Sequence, residues 1–175
     1  MQAPHKHHTI HRMKNATPAG PDSTPFGRLG EGAMHRLVGY QLAQATIATS
    51  QIFLAQVGGP LDLRPVEFTL LTLIHENPGV SASQLARALA VTAPNIKLWI
   101  DRLAQRGLAE RVPSPTDRRA QHLRTTATGA TLVSDALALL LAAEQAGLAG
   151  LTLGERAILV ELLHKVARCR TKPAG

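Results

Sequence analysis

The feature that most constrains the fold of this chain is a pair of short helical patterns separated by a very short break. The first pattern follows Ser81 and Ser83, either of which can cap a helix. The second runs from about Pro94 to Arg106, and Gly107 ends it. Residues 91–93 are the only break between the two, so the chain must turn tightly there. Two short helices joined by a tight turn form a helix-turn-helix motif.

Two strand-like segments follow the second helix directly. Leu108-Ala-Glu-Arg-Val alternates in polarity, and Gln121 to Thr126 alternates again. Between them lie the turn-rich segment Pro113-Ser-Pro-Thr-Asp and a pair of arginines, Arg118 and Arg119. The pattern predicts a β-hairpin with a basic tip, appended to the helix pair.

Positive charge is concentrated in this part of the chain. The formal net charge is +7, and residues 81–125 contain eight of the 19 Lys and Arg residues but only three of the 12 Asp and Glu residues. A local excess of basic residues is the electrostatic pattern expected of a protein that binds an anionic partner such as double-stranded DNA.

The remaining segments divide the chain into three parts. Residues 1–30 form a polar, basic and His-rich tail that we expect to be disordered. Residues 31–60 and 128–172 are helical, with one helix from Ala33 to about Val57, and residues 61–127 hold the helix pair and hairpin. The long Leu- and Ala-rich helix after Thr128 is apolar around much of its surface, so we assign 31–60 and 128–172 to dimerisation.

Several functional classes are disfavoured by the composition. The four histidines of the tail could bind metal, but a flexible segment does not fix a ligand geometry, so we predict no metal site and no cofactor. The single cysteine, Cys169, allows no intramolecular disulfide and suits a reducing cytoplasm. No uninterrupted apolar run approaches the ~20 residues of a membrane span. We find no motif typical of a catalytic site, so we expect neither an enzyme nor a membrane protein.

Residues 91–129, VTAPNIKLWIDRLAQRGLAERVPSPTDRRAQHLRTTATG, are similar to the MarR family of winged-helix regulators, and the resemblance extends from about Ala33 to Cys169. It implies a mainly α fold with a small β-hairpin, in which helices from both ends of the chain form a dimer. The chain departs from the family's pattern on the second helix, at Lys97, Leu98 and Trp99. The matching residues are Thr92, Pro94, Ile96, Asp101, Arg102, Leu103, Gly107, Leu108, Asp117, Arg119, Thr126 and Gly129.

The second helix is then the one that enters the major groove of DNA, which admits a single helix. Its apolar stripe is Ile96, Trp99, Ile100 and Leu103, and its opposite face presents Ala93, Asn95, Lys97, Leu98 and Arg102, preceded by Thr92 as the cap. The alternative is that this opposite face is an ordinary solvent-exposed helix surface that contacts no DNA.

Two further groups are candidate DNA contacts. Ser81, Ser83 and Gln84 can donate to phosphate oxygens, although helix capping explains the serines equally well. Arg118 or Arg119, at the tip of the hairpin (the wing of the winged helix), can enter a narrow minor groove. Asp117 can orient one of these two arginines, or Arg102, through a paired hydrogen bond. A solvated salt bridge is the alternative for Asp117.

The resemblance also implies regulation by a small aromatic acid, held between the dimer helices and the DNA-binding lobe. For Phe68, a place in the plain core is the favoured interpretation and a ligand contact is the alternative. The predicted function is a repressor that binds a pseudo-palindromic operator as a homodimer. The alternatives are a winged-helix module that binds protein without DNA, and a redox-responsive regulator using Cys169. The candidate ligand residues are His35, Arg36, Tyr40, Arg64, Phe68 and His75.

Replacing Arg118 and Arg119 together by alanine should weaken DNA binding and reduce its dependence on salt. Each cation that neutralises a phosphate releases a counterion, so removing two of them lowers the slope of log K against log salt concentration. Titrations at several salt concentrations measure this slope, and an unchanged slope would refute the role of the hairpin tip.

Overall fold

The computed structural model describes residues 22–113 and 121–171, so the hairpin tip with Asp117, Arg118 and Arg119 lies outside the described residues, as does the His-rich part of the tail. The described part of the chain divides into two compact units, one ending at residue 46 and the other beginning at residue 47. The described part contains six α-helices and one antiparallel pair of strands. They are α1 (Val38–Phe53), α2 (Pro65–Glu76), α3 (Ala82–Leu89), α4 (Ala93–Gln105), β1 (Ala109–Pro113), β2 (Gln121–Thr125), α5 (Ala127–Gly147) and α6 (Leu153–Arg168).

The predicted single helix from Ala33 to Val57 is wrong in detail, because three helical forms share this stretch. A 3₁₀ helix spans Gly32–Arg36 and ends where Leu37 takes an extended backbone (ψ 116°). After α1, the last turn widens into a π-helix over Leu54–Gly58, in which the Gly59 amide donates to the Leu54 carbonyl at 2.8 Å. The predicted end at Gly58-Gly59-Pro60 is confirmed.

The lobe core of the second unit is built from one face each of α2, α3 and α4. Ile96, Ile100 and Leu103 of α4 are buried as predicted, whereas Trp99 is only half-buried at the edge of the core. They pack with the buried residues Leu70, Leu71, Ile74, Leu85, Leu108, Ala109, Leu123 and Val133.

The predicted hairpin is confirmed, with Glu110 opposite Arg124 and Arg111 opposite Leu123. A third segment, which the sequence did not indicate, joins it through a bridge between Val80 and Leu123. The Leu123 amide donates to the Val80 carbonyl at 2.9 Å. The segment before α3 and the strand after the hairpin tip are therefore tied together by backbone hydrogen bonds.

The junction between α4, the hairpin and α5 depends on two glycines. Gly107 ends α4 with φ +66°, a left-handed conformation that glycine adopts without strain. The Thr126 hydroxyl donates to the Gly107 carbonyl at 2.6 Å and accepts from the Gly129 amide at 3.0 Å, capping α5. A Cβ on Gly129 would lie 1.9 Å from the Leu108 carbonyl oxygen. Only a residue without a side chain lets α5 begin against this backbone.

The last two helices leave much apolar surface uncovered. On α5, Val133 and Ala136 are buried while Leu139 and Leu141 are exposed. The sequence expectation about membrane spans needs a correction, because α5 is long and apolar enough to cross a membrane by length and composition alone. Val133 of α5 nevertheless belongs to the lobe core, with Leu132 and Leu137 packed against it. The apolar residues of α6 are exposed at Ile158, Leu159, Val160, Leu162, Leu163 and Val166.

Replacing Gly129 by alanine should destabilise the lobe by roughly 3 kcal/mol, because the new methyl group meets backbone that cannot rotate away. Urea unfolding with an unchanged m-value measures the loss. The matched control is Gly154→Ala, in helix α6, where nothing lies within 4 Å of an added Cβ. We expect that control to be neutral or up to ~1 kcal/mol more stable. Equal effects of the two substitutions would contradict the close approach.

Candidate nucleic-acid interface

The predicted recognition face of α4 is exposed in the structure. Thr92, Ala93, Asn95, Lys97 and Leu98 all present their side chains to solvent. Thr92 does occupy the cap position, but its hydroxyl makes no capping hydrogen bond, which corrects the prediction. A cap serves the amides of the second and third helical residues, and the second residue here is Pro94, which has no N–H.

A carboxylate at the middle of α4 joins this helix to the hairpin. Asp101 Oδ1 accepts from Arg111 Nη2 at 2.5 Å, and Asp101 Oδ2 accepts from Lys97 Nζ at 3.4 Å. The hydrogen bond from Arg111 is the main reason that the pKa of Asp101 lies below its usual range. Because Arg111 belongs to β1, the pair sets the hairpin against α4. The sequence suggested Asp117 as the carboxylate that orients an arginine, and it missed Asp101 in this role.

Arg102 does not share the freely exposed face on which the sequence placed it. Its Nη1 atom lies 3.5 Å from Oε1 of Glu67, a carboxylate on α2 that is only 6% exposed. A buried carboxylate is costly without a cationic or hydrogen-bonding partner, which explains why the arginine turns toward α2. One turn later, Arg106 donates to the carbonyl oxygens of Leu61 (2.9 Å) and Asp62 (2.5 Å). Arg102 and Arg106 thus attach α4 to α2 and to the loop that precedes α2.

The start of α3 matches the capping interpretation of its polar residues. Ser81 Oγ accepts from the Gln84 amide at 3.3 Å, and Gln84 Oε1 accepts from the Ser81 amide at 2.9 Å. Ser83 Oγ lies 3.1 Å from Ser81 Oγ. Ser83 and Gln84 remain exposed at the helix N-terminus, where the helix dipole and amide groups favour an anion.

A depression of about 410 Å³ lies between α3, α4 and the base of the hairpin, and both apolar and polar side chains line it. Its polar walls are the Lys97–Asp101–Arg111 group and Gln121, the first residue of β2. The exposed face of α4, the N-terminus of α3 and the hairpin therefore border one continuous surface. The lining residues are Ala82, Lys97, Ile100, Asp101, Arg111, Gln121 and Leu123.

The candidate ligand residues fall into different surroundings. In the first unit, His35 and Tyr40 both contact Glu31, a residue that sequence reasoning missed, whereas Arg36 is exposed. In the second unit, Arg64 is exposed and His75 Nδ1 lies 3.3 Å from Thr125 Oγ1.

Phe68 belongs to a second core cluster, as the alternative interpretation held. Its ring centroid lies 5.6 Å from that of Phe53, and Val57, Leu63 and Ala136 complete the cluster. Cys169, at the end of α6, is exposed. Among the described residues, no group of three His, Cys, Asp or Glu side chains is arranged to hold a metal ion.

Comparison with known proteins connects this lobe to a family. The model of the MarR family matches residues 63–121, which contain α2, α3, α4 and β1. A transcriptional regulatory protein for the hcr operon, from Thauera aromatica, is 30% identical over 148 residues, which is 85% of this chain and 89% of that protein. The chain belongs to the MarR family.

Solved structures of MarR-family proteins agree with the fold. The transcriptional repressor CouR, bound to a 23-mer DNA duplex, is 31% identical with a TM-score of 0.72, and the match covers 79% of this chain and 98% of CouR. BpsR of Bordetella bronchiseptica, whose DNA binding is regulated by 6-hydroxynicotinic acid, is 25% identical with a TM-score of 0.68 over 77% of this chain and 96% of BpsR. The predicted winged-helix fold is confirmed, and the protein is a MarR-family transcriptional regulator. The relatives are regulators rather than enzymes.

Replacing Asp101 by asparagine should destabilise the MarR-family lobe at neutral pH, and this destabilisation should shrink as pH falls below about 3.9. A carboxyl group whose pKa is lowered on folding stabilises the fold above its unfolded pKa of about 3.9, and that contribution is lost as pH falls through the folded value. Unfolding of both proteins at pH 7 and near pH 3 measures the difference. A difference that persists unchanged at pH 3 would contradict an ionic role for Asp101.

Proposed function

We propose that the protein is a repressor that binds a pseudo-palindromic operator as a homodimer and is released by a small aromatic ligand bearing a carboxylate or phenol. The observation that carries the proposal is the exposed face of α4, which stands beside a basic hairpin while its other faces are packed or ion-paired. Binding to chromosomal DNA places the protein in the cytoplasm.

The side chains on the exposed face suit base recognition in the major groove. Asn95 can pair with adenine, Lys97 with guanine or a phosphate, and Leu98 with a thymine methyl group. Lys97 Nζ lies 3.4 Å from its carboxylate partner and 76% of its side chain is exposed, so little is lost when it turns to DNA.

The N-terminus of α3 and the hairpin would hold the backbone on either side. The side chains of Ser83 and Gln84 are exposed at the start of α3 and can donate to phosphate oxygens. Arg111 of β1 is paired with Asp101 of α4, and Arg118 and Arg119 lie in the sequence between β1 and β2. One of them would enter the minor groove, whose narrow form has an enhanced negative potential.

A homodimer accounts for the uncovered apolar faces of α5 and α6. Leu141, Ile158 and Val160 are each more than half exposed within a single chain, and isolated domains rarely leave so large an apolar surface open. Pairing these helices with those of a second copy would present two recognition helices to successive turns of DNA, roughly 34–36 Å apart.

Regulation by a small acid is supported by the relatives and by polar groups in the first unit. The DNA binding of BpsR is regulated by 6-hydroxynicotinic acid. His35 and Tyr40 carry hydrogen-bonding groups that suit a carboxylate, and Arg36 is exposed close by in sequence. A ligand releases DNA only if it binds one arrangement of the recognition helices more tightly than the other.

Replacing Lys97 by alanine should weaken binding to a DNA fragment from the region upstream of the gene by roughly tenfold, with little change in melting temperature, because the side chain is exposed. Fluorescence anisotropy at moderate salt measures the affinity. The matched control is Lys165→Ala, a lysine in an equivalent i,i+4 pair with Glu161 on α6. We expect that control to bind DNA as the wild type does.

A large drop in the melting temperature of Lys97→Ala would mean that this face is packed rather than free. If the intact dimer binds none of the DNA sequences tested, the DNA-binding proposal is wrong. A winged-helix module that binds protein would then be the better interpretation.

A further inference from the structure

A buried carboxylate in the first unit has two side-chain partners. Glu31 is only 6% exposed. Its Oε2 atom lies 2.6 Å from His35 Nδ1, and its Oε1 atom accepts from the Tyr40 hydroxyl at 3.0 Å. The tautomer of His35 with its proton on Nδ1 donates to Oε2 of Glu31. Each oxygen of Glu31 therefore has its own donor, as a bound acid would.

The loop before Glu31 delivers this carboxylate to its partners. The Glu31 amide donates to the Asp22 carbonyl at 2.9 Å, and the Thr24 amide donates to the Leu29 carbonyl at 2.9 Å. Thr24 Oγ1 closes the turn by donating to the Phe26 carbonyl at 2.6 Å. The side chains of Phe26 and Leu29 are exposed, so the loop is held by hydrogen bonds rather than by an apolar core.

The two donors are fixed by the helical turns that follow. His35 is four residues after Glu31, on the 3₁₀ helix, and Gln41 Nε2 donates to the His35 carbonyl at 2.8 Å. Tyr40 lies in the first turn of α1, and Gln44 Nε2 donates to its hydroxyl at 3.3 Å. Burial and the nearby Glu31 raise the pKa of Tyr40, so its hydroxyl stays protonated and donates at neutral pH.

We propose that His35 and Tyr40 form a carboxylate-binding site that Glu31 occupies as an internal ligand, and that an aromatic carboxylate binds by replacing it. This inference rests on the proposed regulation by a small acid. The same two donors serve either carboxylate, so binding of the acid requires the loop from Asp22 to Glu31 to leave. The apparent affinity of the acid is then its intrinsic affinity multiplied by the fraction of molecules in which Glu31 has left the site. Glu31 thereby sets the concentration at which the acid acts.

The experiment removes the internal carboxylate and supplies an external one. The melting temperature of Glu31→Ala is measured in sodium benzoate and in sodium chloride at equal ionic strength, beside the wild type. We expect benzoate to raise the melting temperature of Glu31→Ala well above that in chloride, because a ligand that binds only the folded state stabilises it. The wild type should respond much less, and adding Tyr40→Phe to Glu31→Ala should reduce the response.

Glu31→Gln provides a second test that does not depend on a cavity in the fold. Its carboxamide keeps the shape of the side chain but lacks the charge, so benzoate should displace it more easily. We expect a benzoate Kd at least about tenfold lower than that of the wild type by isothermal titration. Equal or weaker binding by Glu31→Gln, or no specific effect of benzoate on either variant, would overturn the inference.

Operator binding separates this inference from the proposed function. Both Glu31 variants and the wild type are tested for DNA binding without benzoate. If all three bind DNA and benzoate fails to distinguish them, the carboxylate site is wrong and the DNA-binding function stands. If benzoate stabilises Glu31→Ala as expected but none of the proteins binds DNA, the site stands and the proposed function fails.

Discussion

The lobe depends on the close approach of the start of α5 to the backbone that leaves α4. Gly129 has no side chain at a point where a Cβ would lie 1.9 Å from the Leu108 carbonyl oxygen, and Thr126 bonds to both Gly107 and Gly129. This contact fixes where the hairpin begins and ends. It also links the long helix α5 to the end of α4 through backbone atoms, which cannot adjust as side chains do.

With that junction in place, charged pairs determine which face of α4 is free. Arg111 holds Asp101 on the hairpin side, while Arg102 contacts the buried Glu67 and Arg106 binds two loop carbonyls on the other. Half-buried pairs of this kind contribute more to geometry than to stability, because desolvation offsets much of their attraction. What they leave exposed is a narrow strip around Asn95 and Lys97. Among the residues proposed to read DNA, Asn95 and Leu98 take no part in these pairs, whereas Lys97 shares Asp101 with Arg111.

Much of this could be predicted from the sequence because the signals are local. Helix periodicity, the Ser81 cap and Gly107 located α3, α4 and the hairpin, and the Leu- and Ala-rich pattern after Thr128 located α5. The pairs Arg102–Glu67 and Arg111–Asp101 were missed because they join residues 35 and 10 positions apart, and only packing decides which arginine meets which carboxylate. Glu31–His35 has i,i+4 spacing, but its burial depends on a loop whose path the sequence does not reveal.

The most direct test of the recognition surface is DNA cleavage by an iron chelate attached at one cysteine. In a Cys169→Ser background, Leu98→Cys places the chelate on the exposed face of α4, and Gly150→Cys places it on the turn between α5 and α6 as a control. The account predicts two clusters of cuts within a bound operator, centred about 10 base pairs apart, from position 98 and none from position 150. Equal cleavage from both positions, or none from position 98 on DNA that is bound, would contradict it.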